Sequence, residues 1–319
     1  MVEELELKGA GTAMKSAMRS RKVQQLKREI PLYIMLMPAV VILLVYAYGP
    51  MVGNVIAFQR FLPGKGLFGS EFIGLENFVY MFKMPNIWSV VYNTVFISGM
   101  KIVLGIIVPV TVALMLNEVH HIAFKRTVQT IIYLPYFLSW VILSGIIITI
   151  LSPSDGIVNQ LLGYIGIEPI FFLGDEKIFP YTIVVTDVWK NFGFGTIVYL
   201  TALTSIDPNL YEASLIDGAN RWQQTVHITL PGISTTIILL SVISVGNILN
   251  AGFEQIFNLY SPMVYSTGDI LDTLVYRMGI QNYQFGVATA IGLIKSVVAT
   301  IFIVASNKAA EKIGGYRVF

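Results

Sequence analysis

Long apolar runs separated by short polar connectors dominate this chain, and the runs are of membrane-crossing length. About twenty predominantly apolar residues are needed to cross the hydrocarbon core as a helix. Six such runs can be drawn, at about 31–58, 88–116, 127–151, 180–204, 231–257 and 283–306. Pro31 and Pro231 stand where the first and fifth runs begin, the helical turn that tolerates a missing N–H. The pattern predicts an all-α membrane protein with six transmembrane helices over 31–306, preceded by a tail over 1–30 and followed by a tail over 307–319. The connectors at 60–87, 152–179 and 258–282 carry Gly, Pro and acids and read as loops with short interfacial helices, not as separate domains. No tandem repeat appears, and the two halves of the chain show no convincing match.

Composition agrees with the pattern. Of 319 residues 55% are hydrophobic and only 13% charged, with a mean hydropathy of +0.70, whereas a soluble domain carries about a quarter charged residues. Net charge is only +2 and calls for no nucleic-acid partner, but the placement of the basic residues is informative. Six spans put both ends on one side. That side holds thirteen Lys and Arg, against five in the opposite loops. The positive-inside rule then places both termini in the cytoplasm. The N-terminus, with its acids and its basic stretch from Lys15 to Arg28 ahead of a long apolar run, reads as a cytoplasmic tail and not as a cleavable signal. Cysteine is absent, which excludes disulfides and thiolate chemistry.

One polar segment stands apart. In the cytosolic loop between the fourth and fifth runs, Asp207 can cap a helix that starts at Pro208, with Glu212 near its positive end. Asp217-Gly218 breaks that helix, because glycine allows a positive φ, and a second helix over about Ala219 to His227 leads into Leu230-Pro231. Such a stiff peg on a membrane helix suits docking in a groove of another protein, or lying on headgroups. Three acids against one base, Arg221, over 205–230 oppose the second reading, since anionic lipid repels that sign.

Glu212-Ala213-Ser214, three residues, Gly218, nine residues, Ile228, one residue, Leu230-Pro231 resembles the EAA loop of permease subunits of binding-protein-dependent ABC importers. Only Ser214, in place of a second alanine, departs from that pattern. The stretches "DVWKNFGFGTIVYLTALTSIDPNLYEA" and "VYSTGDILDTLVYRMGI" extend the resemblance to sugar-importer permeases. It covers about residue 30 to 319, and lies in the branch for polysaccharide fragments, which includes alginate importers. The resemblance implies a type I ABC importer permease core and a coupling loop over 205–231. In that loop Glu212, Ala213, Ser214, Asp217, Gly218, Ala219, Ile228, Leu230 and Pro231 would meet the ATPase. It implies as partners a homologous second permease, two cytosolic ATPase subunits, an extracytoplasmic solute-binding protein and a carbohydrate substrate in a lipid bilayer. It implies no cofactor in this chain, ATP and Mg being bound by the ATPases. Consistently, the sequence holds no G-x-x-x-x-G-K-[ST], and no H-E-x-x-H or G-x-S-x-G. It therefore reads as no enzyme by itself. His120 and His121 read as a solvated pair, not a metal site.

Polar groups within spans are expensive and face a cavity or a partner helix. Asn247 and Asn250 are expected on one face of the fifth span, Asp187 and Asn191 on one face of the fourth, and Tyr136 and Trp140 on one face of the third. By the resemblance these positions fall at or beside those lining the sugar site of maltose-type permeases. The competing reading is hydrogen bonding between helices. Lys101 and Lys295, near mid-span, either pair with acids such as Asp187 and Glu254 or make a cavity positive enough for uronate carboxylates. An ion-coupled secondary carrier also explains six spans with midplane charges, but such carriers show internal repeats and the peg is left without a role. An ion channel is a third reading, without a filter motif to support it.

Overall fold

The computed structural model describes residues 29–314, and the basic stretch Lys15 to Arg28 lies outside them. The chain divides into two units after Val55. The first contains most of α1 (Glu29–Phe58), an apolar helix that passes through a π turn at Leu44–Tyr48 into a 3₁₀ stretch at Gly49–Phe58. In the π turn the Gly49 N–H bonds to the Leu44 carbonyl, five residues back, just before Pro50. A proline cannot donate to the ladder, and a widened turn is one way to absorb the loss.

The second unit begins with a two-stranded antiparallel ribbon, β1 (Gln59–Arg60) against β2 (Glu71–Phe72), and the short α2 (Glu76–Lys83). Next come α3 (Ile87–Asn117), α4 (Ile122–Tyr133, extended by a 3₁₀ turn to Phe137), α5 (Trp140–Ile150) and α6 (Ile157–Tyr164). Then follow α7 (Phe179–Leu203), α8 (Pro208–Ile216), α9 (Arg221–Gly246), α10 (Phe253–Leu259), α11 (Leu271–Tyr276) and α12 (Phe285–Gly314). Among the described residues four helices, α1, α3, α9 and α12, are long and apolar enough to cross a membrane, and α4 with α5 makes a fifth candidate. The 25-residue α7 carries Asp187, Lys190 and Asn191 and is less apolar. It is also among the most buried helices, with Ile183 and Phe179 fully enclosed.

Three expected spans differ from the runs. The run 127–151 is not one helix: α4 and α5 meet at 106°. Pro135 interrupts the backbone ladder there, and Ser139 starts α5 afresh by accepting a hydrogen bond from the Ile142 N–H (3.4 Å). The run 231–257 is displaced. Its helix starts at Arg221, passes through a π turn at Thr225–Thr229, and ends at Gly246. Pro231 therefore does not open a span; the Leu230 N–H reaches back five residues to Thr225, repeating the device seen before Pro50. The chain then breaks over 247–252, with Gly252 at φ +90°, before α10. The last helix starts at Phe285 and runs on to Gly314, past the expected limit of 306.

Packing centres on α3 against α7 and on α9 against α12. Lipid competes as an apolar solvent, so close approach and internal hydrogen bonds set these contacts. Gly193 shows the closest approach: a Cβ there would lie 1.9 Å from the Ile132 carbonyl oxygen, so α7 meets α4 only with glycine at that point. The segment between α10 and α12 is tied to α3 by Asn93, which donates to the Ser266 (3.0 Å) and Asp269 (3.1 Å) carbonyls, and by Thr94, which accepts from the Leu271 N–H (2.9 Å). Asp269, 3% exposed, pairs with Arg277 and accepts from Thr273 (2.7 Å), while the Arg277 guanidinium lies over the Tyr265 ring at 4.7 Å. Burial, and then Tyr265 beside it, pushes the Tyr260 phenol up to about 12. Asp269→Ala leaves a partly exposed guanidinium without its carboxylate and is expected to cost about 3 kcal/mol, read as a lowered unfolding midpoint of the purified protein in detergent.

Candidate coupling hairpin and transport cavity

The polar segment folds as a helix, a kink and a second helix. Asp207 caps α8 by accepting from the Asn209 N–H (3.0 Å), and Pro208 occupies the first turn. Glu212 lies one turn further in than expected, exposed on α8. At the other end Gly218 takes φ +79°, and the Ala219 N–H returns to the Ser214 carbonyl (2.9 Å), which satisfies one of the last carbonyls. Asn220 and Gln223 form a capping box that starts the second helix two residues later than expected. That helix does not stop near His227 but is the beginning of α9.

Side chains lock the two arms together. Gln224 donates to the Ser214 hydroxyl (2.9 Å), which itself donates to the Tyr211 carbonyl (2.8 Å), and the Tyr211 and Thr229 hydroxyls are 3.0 Å apart. Ser214, the one departure from the EAA pattern, is thus a cross-link between the arms that alanine could not make. Arg221 pairs with Glu118 at the end of α3. Ile228 and Leu230 are half-buried at the base, Leu230 packing beside Tyr199 and Ile233, whereas Ala213, Asp217 and Pro231 are exposed. The hairpin also exposes Leu215 (64%), Ile216 (87%) and Trp222 (74%), an apolar tip that the sequence reading did not single out. A large apolar patch with acids beside it marks an interaction surface.

A cavity of about 220 Å³ lies between α3, α7 and the break after α9, lined by Ser98, Lys101, Asp187, Ser244, Asn247 and Asn250. Asn247 and Asn250 do reach one site, but not as neighbours on a helix: Asn247 ends α9, and Asn250 sits in the following turn, its N–H bonded to the Asn247 carbonyl (2.8 Å). Lys101 anchors the wall. Its ammonium donates to Asp187 Oδ1 (3.2 Å), to the Ala251 carbonyl (2.8 Å) and to Gln255 Oε1. Gln255, fully buried, donates in turn to the Ile183 carbonyl (2.8 Å) and the Thr186 hydroxyl (2.9 Å). Ser98, 2% exposed, has a hydroxyl oxygen with no protein partner on this wall.

Other expected path residues scatter. Asn191, half-buried a turn beyond Asp187 on α7, is not in the cavity lining. Lys295 pairs with Asp272, not with Glu254, and borders a separate apolar cavity of about 260 Å³ beside Trp88 and Leu249. Of the two readings for Lys101 and Lys295, the structure has each paired with a carboxylate, and the two border different cavities. Tyr136 and Trp140 flank the 106° bend, so they share no helix face, yet both rings lie against Lys190 Nζ, at 5.3 and 5.4 Å. Tyr136 also stacks on Phe194, 4.2 Å between centroids and 6° from parallel. Lys190 is legible in the sequence as a charge within a span, but Gln255 and Phe194 carried no pattern that distinguished them from ordinary span residues.

The profile of the family described as binding-protein-dependent transport system inner membrane component matches residues 102–312. The chain belongs to this family. It is 38% identical over 305 residues, 96% of this chain and 95% of the relative, to the polygalacturonan/rhamnogalacturonan transport system permease protein YteP of Bacillus subtilis (strain 168). It is 39% identical to protein LplB of the same organism, over 90% of each chain. A solved bacterial ABC transporter involved in the import of the acidic polysaccharide alginate contains a chain 39% identical to this one, with a TM-score of 0.85 over 92% of this chain and 99% of that one. The protein is an integral inner-membrane permease subunit of an ABC sugar importer, and the ion-coupled carrier is set aside.

In this permease the Lys101–Asp187 pair is mostly enclosed, with side chains 10% and 21% exposed. Lys101→Met is expected to destabilise by about 3 kcal/mol by stranding Asp187, and the added Asp187→Asn to recover a good part of that. A double-mutant cycle on the detergent-solubilised unfolding midpoint checks this, an additive result counting against the pairing.

Proposed function

We propose that this permease forms half of the pathway by which an ATP-driven importer moves acidic oligosaccharides, of uronate type, into the cytoplasm by alternating access. The cargo class rests on the pectic substrates named for its B. subtilis relative and on the alginate of the structural neighbour. The chain contributes six spans, with both termini cytoplasmic as the thirteen-to-five distribution of basic residues favours. A homologous permease completes the pathway, two cytosolic ATPases bind ATP and Mg, and an extracytoplasmic binding protein delivers the sugar. This chain, lacking a Walker motif, hydrolyses nothing itself. The cavity beside Lys101 offers a passing sugar the exposed amides of Asn247 and Asn250, donors and acceptors for hydroxyl groups.

The observation that carries the coupling is the hairpin over 205–231, a peg kinked at Gly218 and continuous through Pro231 with a membrane-length helix. Seated in a cleft of the ATPase, with Glu212 toward a basic group and Leu215, Ile216 and Trp222 buried by the partner, it would carry ATPase closure into α9. Gly218→Val is strained at positive φ, and Glu212→Lys repels the proposed basic group. Each is expected to lower sugar-stimulated ATPase activity of the reconstituted complex at least about tenfold while the permease still inserts and folds. Undiminished stimulation in both variants would end the coupling assignment.

A further inference from the structure

We infer that Lys190 is a specificity-determining residue that receives the carboxylate of an acidic sugar; the inference rests on the acidic cargo proposed above. Three lysines lie within the spans. Lys101 and Lys295 each have a carboxylate partner, but among the described residues no ion pair includes Lys190. Its one hydrogen bond runs to the Tyr136 carbonyl at 2.8 Å. An ammonium carries three N–H donors, so two are left for a ligand. The residue is only 7% exposed, and a charge enclosed at membrane depth is expensive when Asp187 and Glu254, the carboxylates that act on it, do so without direct contact. The rings of Tyr136 and Trp140 offset part of that cost and hold the cation in place, without using an N–H in a conventional hydrogen bond.

The surroundings suit a uronate more than a free anion. Lys190 is three residues from Asp187 on α7, so it stands beside the cavity wall although, like Asn191, it is not itself in the lining. Asp187 is held by Lys101 and Glu254 makes no ion pair with Lys190, so neither carboxylate occupies its ammonium. Beside it Tyr136 (36% exposed) stacks on Phe194 (43% exposed), an aromatic pair open to the C–H face of a pyranose ring. Gly193 brings the group together, since only a residue without Cβ lets α7 reach the Ile132 carbonyl and set Lys190 against Tyr136.

The test uses the assembled importer in proteoliposomes with its binding protein, and two cargoes of equal length, an oligogalacturonide and its methyl ester. Lys190→Met is expected to assemble with the ATPase and to lose roughly tenfold or more of oligogalacturonide uptake, the worth of a charged hydrogen bond, with any uptake of the ester unchanged. Lys190→Arg is expected to keep oligogalacturonide uptake within about threefold of the parent. Four outcomes overturn the inference: unchanged acidic uptake in Lys190→Met, equal losses for acid and ester, an Arg variant as impaired as Met, or a Met variant that no longer assembles. Failure of the parent complex to take up either sugar would instead sink the importer's acidic-cargo reading.

Discussion

A lysine ammonium inside a membrane protein persists only where its charge and its donors are met by protein groups, and Lys101 organises much of this permease around that constraint. Its three contacts come from three places: Asp187 on α7, the Ala251 carbonyl in the break, and Gln255 on α10. The last contact extends to Ile183 and Thr186 through the Gln255 amide, so α3, α7 and α10 share one buried polar knot. The break after α9 is part of it. Gly252 adopts a positive φ, and a Cβ on it would stand 3.1 Å from the Lys101 ammonium. Because α9 stops at Gly246, backbone and amide groups that would otherwise be spent in a helix line a cavity, the setting in which irregular backbone is tolerated at membrane depth.

The same helix joins the cavity to the cytosolic hairpin. From Arg221 to Gly246 α9 covers 26 residues, roughly 39 Å at the ordinary helical rise. Proline would be expected to divide that length, but the π turn ahead of Pro231 keeps it continuous. The arms of the hairpin are fixed to each other through Ser214, Gln224, Tyr211 and Thr229, and its second arm is pinned to α3 through Arg221 and Glu118. An exposed ion pair of that kind contributes little stability. Its consequence is geometric: a displacement of the hairpin is delivered to α9 and α3 together, the two helices that end at or border the Lys101 cavity.

Charge is distributed in this core with economy. Acidic and basic side chains between the helices are mostly matched: Asp187 by Lys101, Asp272 by Lys295, Asp269 by Arg277. The Asp269–Arg277 pair braces the segment between α10 and α12 internally, and Asp272–Lys295 ties it to α12. Against this background Lys190 differs from Lys101 and Lys295: among the described residues it touches aromatic rings and a carbonyl and makes no ion pair.

Hydropathy alone determined that this is a helical membrane protein, because a span must satisfy its backbone within itself and so writes a run of about twenty apolar residues into the chain. Local chemistry alone determined the hairpin: the Asp207 cap, Pro208 and the positive φ at Gly218 are decided by neighbours a few residues away. Tertiary structure decided where the runs break. Pro135 and Pro231 look alike in sequence, yet one accompanies a bend of 106° and the other sits in a continuous helix, since the outcome depends on whether a cap such as Ser139 starts a new helix or a widened turn carries the ladder past the missing N–H. It decided also which polar residues meet. Asn247 and Asn250 converge through a turn instead of a helix face, Tyr136 and Trp140 converge on Lys190 across a bend, and Lys295 finds Asp272. Charges within spans announce themselves in sequence by their cost, but their partners are chosen by helix packing, through contacts as close as Gly193 against Ile132, which no local pattern encodes.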